Sequence, residues 1–126
     1  MVNWTAILFV IAMVESGGNP KVKDGDNGQS WGMYQIQSAY IEDVNRVYKT
    51  NYTHKDARNR NKAELIVVKY LRYWGNRYEL NTGKKLTFED YFRLHNGGCH
   101  FYKKKHKTDN YVKKCFKIID KYNLNI

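Results

Sequence analysis

The chain has 126 residues, 42% of them hydrophobic and 15% aromatic, which suits one domain with its own core and excludes a disordered polyelectrolyte. Two cysteines, Cys99 and Cys115, exclude a disulfide-dense scaffold and leave one bridge or two free thiols open. The net charge is +10, and eight lysines against two aspartates between Lys103 and Lys121 put much of that excess near the C-terminus; such a field draws polyanions such as nucleic acid, anionic membranes or an anionic bacterial wall.

Asn3 is a good N-cap for a first helix running to about Glu15. The helix is apolar on all sides, so a central buried helix is expected. Its apolar run, residues 6–14, is too short to cross a bilayer. Met1 to Thr5 carries no basic residue and no small-residue cleavage site follows, so the segment reads as mature protein with no recognisable signal peptide. Gly17 and Gly18 stop the helix. From Gly17 to about Ile36 the density of glycine and aspartate defeats a helix, and a loop with a short hairpin is expected.

Ser38 is the expected cap of a second helix through about Tyr48. Thr53 and Asp56 form a T-x-x-D box for a third. Ala63, Ile66, Val67, Tyr70, Leu71, Trp74 and Tyr78 recur at helical spacing and carry that helix into the high seventies. Thr87 and Asp90 repeat the box for a short helix ending at His95, stopped by Gly97 and Gly98. The last helix starts near Thr108, with Tyr111, Val112, Cys115, Phe116, Ile119 and Tyr122 on one stripe and lysines opposite. The expected fold is mostly α, with about five helices and one irregular lobe.

The acids of the loop region carry the chemistry. Glu15 ends an apolar helix, where the helix dipole and desolvation both favour the protonated carboxyl. That is what a general acid near neutral pH requires. The bland alternative is a solvated surface glutamate, for which a helix C-terminus is a poor location. Asp24 and Asp26 lie in "DGDNGQ". A calcium loop would need D-x-D/N-x-D/N-G and a glutamate at the twelfth place; Gly28, Gln29 and Gln35 stand at the fifth, sixth and twelfth, so that pattern fails. Turn chemistry explains one of the two aspartates. A protonated acid and an ionised carboxylate across a cleft are the arrangement for glycoside hydrolysis, one protonating the leaving oxygen and the other serving the anomeric carbon or a water.

"VESGGNP" followed by "DNGQSWGMYQIQSAY" resembles the catalytic core of the lysozyme superfamily. It is similar to goose-type lysozymes and lytic transglycosylases, which share a glutamate ending a buried helix and a G-L/M-x-Q-I/V segment. "RLHNGG", residues 93–98, resembles a motif of the invertebrate-type lysozymes, also called destabilases. The resemblance implies an α+β lysozyme-like fold in a single domain, residues 1–126, and a muramidase that cleaves the β-1,4 bond between N-acetylmuramic acid and N-acetylglucosamine. It implies Glu15 as general acid and Asp26 as second carboxylate, with Asp24 the alternative if one gap is admitted. It implies Gly32, Tyr34 and Gln35 at the floor of the sugar cleft, Ser30 hydrogen-bonded within the loop, and His95, Asn96 and Gly97 near the same cleft. It further implies peptidoglycan glycan strands as partner, with no cofactor, no metal, no specific nucleic acid, no membrane insertion and a monomeric state. The low cysteine content departs from the invertebrate-type pattern.

Three other readings compete. A lytic transglycosylase would need the acid but no second carboxylate. A basic nucleic-acid-binding module with a zinc site would use His95, Cys99, His100, His106 and Cys115, although the C-x-x-C pairs that mark such sites are absent; surface histidines beside a lysine cluster are the plainer expectation. A wall-binding descendant without activity is the third. In the lysozyme reading the C-terminal lysines concentrate the enzyme on an anionic wall, an effect that salt screens.

Overall fold

Asn3 opens the first helix: its side-chain Oδ1 accepts from the backbone N–H of Ala6 at 3.1 Å, which satisfies one of the donors a helix start leaves free. In a computed structural model describing residues 1–126, helix α1 spans Trp4–Ser16, α2 Ser38–Tyr48, α3 Arg60–Thr82, α4 Phe88–Gly97 and α5 Asp109–Lys121, with 3₁₀ turns at His54–Arg58, Phe101–Lys103 and Lys105–Thr108. Strand structure is confined to two isolated antiparallel bridges, Gly25 with Ser30 and Trp31 with Ile36. The protein is mostly α, as the periodicity implies. Two compact units form: Met1–Val14 with Leu71–Ile126, and Glu15–Tyr70.

In the first unit, α1 buries Ile7, Val10, Ile11 and Ala12. The helix is not buried on all sides, contrary to expectation. Thr5 and Phe9, one turn apart, stay exposed, and Phe9 is 37% accessible while meeting Tyr122 edge-on at 5.1 Å. An apolar surface residue of this kind is held by one aromatic contact, not by a full shell. Trp4 packs edge-on against Tyr91 of α4 at 5.1 Å. The apolar stripe of α5 buries Tyr111, Val112, Cys115 and Ile119. Thr87 and Asp90 form the expected capping box, with Thr87 N–H donating to Asp90 Oδ2 at 2.9 Å and Asp90 N–H to Thr87 Oγ1 at 3.3 Å. The helix it opens runs to Gly97, two residues beyond the expected end, and Gly98 closes it at φ 84°.

In the second unit the core is built from Met33, Tyr34, Ile36, Ile41, Val44, Ala57, Ala63, Ile66 and Val67. Two helix starts differ from expectation. Gln37, not Ser38, is the N-cap of α2, and no side chain caps it. The Thr53–Asp56 box does form, but it opens the 3₁₀ turn His54–Arg58. Helix α3 is started by Asn59, whose Oδ1 accepts from Lys62 N–H at 3.0 Å. A capping box satisfies the first free N–H groups of any helical turn, so it marks a turn's start and not the turn's length.

Candidate functional site

The site is read from the end of α1 into the double turn of the second unit. Glu15 and Ser16 are the last residues of α1, and Gly17 and Gly18 follow at φ 66° and 78°, a left-handed exit that ends the helix. Glu15 is half-buried. The hydroxyl of Ser16 donates to the carbonyl of Met33 at 2.8 Å. The helix end bearing the glutamate is therefore fastened directly to the GMYQI segment.

That segment belongs to two consecutive tight hairpins. In the first, Gly25 and Ser30 exchange both backbone hydrogen bonds at 2.9 and 3.0 Å. Asp26 and Asn27 cross its turn at φ 49° and 56°, the pair of left-handed positions that a I′-type turn demands and that Asp and Asn tolerate. In the second, Trp31 and Ile36 exchange bonds at 3.1 and 2.9 Å. Gly32 stands there at φ 81°, and a Cβ on it would lie 1.8 Å from the carbonyl oxygen of Ala57. Only glycine lets the two backbones approach this closely. Gln35, at φ 52°, folds its side chain back so that Nε2 donates to Gly32 O at 2.9 Å.

The two aspartates are separated by their partners. Asp26 is exposed and accepts a short hydrogen bond, 2.6 Å, from Ser30 Oγ. Ser30 is 1% exposed and also accepts from Gln37 Nε2 at 3.3 Å. Asp24 is instead paired with Arg58 at 2.9 Å. Arg58 lies over the Trp31 ring at 3.8 Å from its centroid, and His54 stacks parallel to the same ring at 3.7 Å, so the indole is covered on both faces. His54 Nε2 sits 2.8 Å from the Ile36 carbonyl, which requires the proton on Nε2. Asp24, Arg58, Trp31 and His54 thus form one stack that pins both hairpins to the 3₁₀ turn.

Tyr34 is buried, with its hydroxyl 3.5 Å from Glu64; burial first, then the negative charge of Glu64, push its phenol pKa well above the ordinary value. Tyr40 of α2 stacks on Tyr70 of α3 at 3.6 Å and 12°. Burial, then Tyr70, then the Glu15 charge raise the Tyr40 pKa, so this phenol is held neutral within electrostatic reach of Glu15.

His95, Asn96 and Gly97 close α4 in the first unit, and there His95 is buried and not a surface histidine, while Asn96 and Gly97 are exposed. Arg93 of the same motif is a buried hub: Nε bonds Glu89 at 3.2 Å, and Nη1 reaches Lys105 O, Thr108 Oγ1 and Asp109 Oδ1 at 2.8, 2.9 and 2.8 Å. Cys99 is half-buried and Cys115 is buried. No group of three or more His, Cys, Asp or Glu is placed to hold a metal ion, and no helix is long and apolar enough to cross a membrane. From the sequence Tyr70 was placed only on the helical apolar stripe, and His54, Arg58 and Tyr40 were given no role. The four-residue spacing of His54 and Arg58 in one helical turn, behind a capping box, was the available signal.

The chain is mostly α, and the end of its first helix, which carries Glu15, is fastened through Ser16 to the double hairpin that carries GMYQI. The family profile named Destabilase matches residues 5–118, and the chain belongs to that family, the invertebrate-type lysozymes with muramidase and isopeptidase activity. No curated protein and no solved structure matches the chain.

Proposed function

We propose that this chain is a muramidase that hydrolyses the β-1,4 bond between N-acetylmuramic acid and N-acetylglucosamine in bacterial peptidoglycan, acting as a single-domain monomer. Glu15 is the general acid that protonates the leaving glycosidic oxygen. Asp26 is the second carboxylate, serving the oxocarbenium-like centre or its attacking water. Gly32, Tyr34 and Gln35 shape the floor of the sugar cleft, Ser30 orients Asp26, and His95, Asn96 and Gly97 contribute to glycan binding.

The observation that carries this reading is the Ser16 to Met33 hydrogen bond at 2.8 Å. It ties the residue next to the acid to the segment the lysozyme motif assigns to the cleft floor, so neither can shift without the other. The chemistry of the loop serine supports glycoside over isopeptide cleavage. An acyl-transfer nucleophile needs an exposed hydroxyl beside a base. Ser30 is buried, its hydroxyl donates to Asp26, and it accepts from the Gln37 amide.

The test is clearing of a peptidoglycan suspension by wild type and Glu15→Gln. The variant is expected to fold normally and lose activity by about a hundredfold or more, the usual share of a general acid. Full activity in Glu15→Gln would remove Glu15 from the reaction. Mass spectrometry of the released muropeptides separates hydrolysis, which leaves a reducing end, from transglycosylation, which leaves a 1,6-anhydro end.

A further inference from the structure

A cavity of about 480 Å³ lies wholly in the unit formed by Met1–Val14 and Leu71–Ile126. Its volume falls within the range of roughly 300–1,000 Å³ typical of small-ligand sites. Lys103, Lys104 and Lys107 line it together with His100 and Asn96, and no carboxylate does. We propose that this cavity binds a phosphate group carried on a sugar or polyol.

The positive charge in the cavity is not neutralised by its surroundings. The nearby acids are engaged elsewhere: Glu89 and Asp109 pair with Arg93, and Asp90 caps α4 and faces Lys105. Lys103, Lys104 and Lys107 make no ion pair with them. The backbone that presents these lysines is held in place. Arg93 and Thr108 both bond the carbonyl of Lys105, at 2.8 and 2.9 Å. Successive tight turns, Lys103 N–H to His100 O, Lys104 N–H to Phe101 O and Lys107 N–H to Lys104 O, set the lysines at the ends of short loops. Gly97 forms part of the wall, and a Cβ there would lie 2.7 Å from Thr108 Cγ2, so the approach of α4 to this segment is close. Three ammonium groups gathered on one anchored scaffold cost little reorganisation on binding an anion.

The ligand chemistry follows from the donors. Ammonium groups act as point charges, and no guanidinium fork lines the cavity to match a planar carboxylate. Several monodentate cations with an imidazole and an amide suit a doubly charged, tetrahedral oxyanion. The volume leaves room for an attached polyol. Nucleic acid fits less well: the lysines converge on one cavity and do not track a backbone, and its aromatic residue, Phe101, is buried and offers no face for stacking a base.

The test titrates the full chain with glycerol 3-phosphate, inorganic phosphate, acetate and a short oligothymidylate, read by calorimetry and by backbone amide shifts. Glycerol 3-phosphate is expected to bind more tightly than acetate, with shifts centred on residues 96–108. Binding of inorganic phosphate as tightly as glycerol 3-phosphate supports a site for the phosphate group itself, and weaker binding supports recognition of the polyol as well. Lys103→Gln, Lys104→Gln and Lys107→Gln combined should weaken binding about tenfold or more, the worth of a single charge-assisted hydrogen bond. The matched control, Lys113→Gln, Lys114→Gln and Lys117→Gln on the exposed side of α5, removes the same charge and should change affinity less than about twofold. Equal weakening by the two triples would replace the site with a diffuse field. Absence of glycerol 3-phosphate binding, equal binding of acetate, or its displacement by oligothymidylate at equal phosphate concentration would each overturn the proposal. Unchanged circular dichroism in both triples controls for folding.

Discussion

Ser30 and Asp26 face each other across the first hairpin, with the serine hydroxyl 2.6 Å from Asp26 Oδ2. The serine is buried and fixed by the bridge to Gly25, while the aspartate sits on the exposed turn. One rigid donor therefore orients a carboxylate that the left-handed turn backbone alone would leave to swing. Asp24, two residues earlier, is committed to Arg58.

Ser30→Ala should accordingly cost about 1 kcal/mol of stability, the net worth of one hydrogen bond, and lower wall clearing along with it. Asp26→Asn should lose more activity than Ser30→Ala while keeping its fold. Asp24→Asn removes a partly exposed ion pair, worth under about 1 kcal/mol, and should keep wild-type turnover. Denaturant titration and clearing rates on the three variants check this. Loss of turnover in Asp24→Asn with retention in Asp26→Asn would exchange the two roles.

Gly32 and Gly28 offer a matched comparison, because both have positive φ but only one is crowded. A Cβ on Gly28, at φ 85°, meets nothing, whereas one on Gly32 collides with the Ala57 backbone. Gly28→Ala should cost about 1 kcal/mol, the strain of a left-handed alanine. Gly32→Ala adds displacement of the 3₁₀ turn and should exceed about 3 kcal/mol. Equal urea midpoints for the two variants would show that the crowding is relieved without cost.

These elements differ in how far a linear reading reaches them. Asn3, the Thr87–Asp90 box and the stripe of α5 act within one or two turns of chain, so their residue types alone define them. The glycine and Asx density of residues 24–32 likewise announces turns. The Thr53–Asp56 box misleads because a 3₁₀ turn and an α-helix leave the same N–H groups free, and only Asn59 shows where α3 begins. His54 and Arg58 meet Trp31 from 23 and 27 positions away, and the Arg93 hub reaches 12 to 16 positions ahead to Lys105, Thr108 and Asp109. The local spacing of His54 and Arg58 was readable, but their long-range partners are set by tertiary packing and have no period to read. The place of Glu15 at the end of the first helix was legible because its apolar flank and glycine stop are local; the fastening of that helix end through Ser16 to Met33 spans 17 positions and was not.

Arg93 holds four acceptors on two nitrogens: Nε donates to Glu89, and the two N–H groups of Nη1 are shared among Lys105 O, Thr108 and Asp109. It is 9% exposed. Lysine keeps the charge but cannot span these directions. Arg93→Lys should therefore destabilise by about 1–2 kcal/mol, the loss of one or two charge-assisted hydrogen bonds to partly exposed partners, and loosen the segment 101–108. Hydrogen exchange should show faster opening of the Lys105–Thr108 turn than of α5. An unchanged melting temperature would mean that the hub is dispensable.

Asp56 gives the protein an acid-sensitive point with a defined sign. The backbone N–H of Thr53, 2.8 Å from Asp56 Oδ2, is the main cause that lowers its pKa; Lys62 adds to it and burial opposes it. A folded pKa below the unfolded value of about 3.9 means that the folded state binds fewer protons through this group. Its contribution is complete above the unfolded pKa and is lost as pH falls through the folded pKa. Asp56→Asn should thus be less stable than wild type at pH 7, and the gap should begin to close below about pH 4. Urea midpoints of both proteins across this range provide the measurement. A gap that stays constant down to the most acidic pH would show that the carboxylate charge has no part in holding the Thr53 turn.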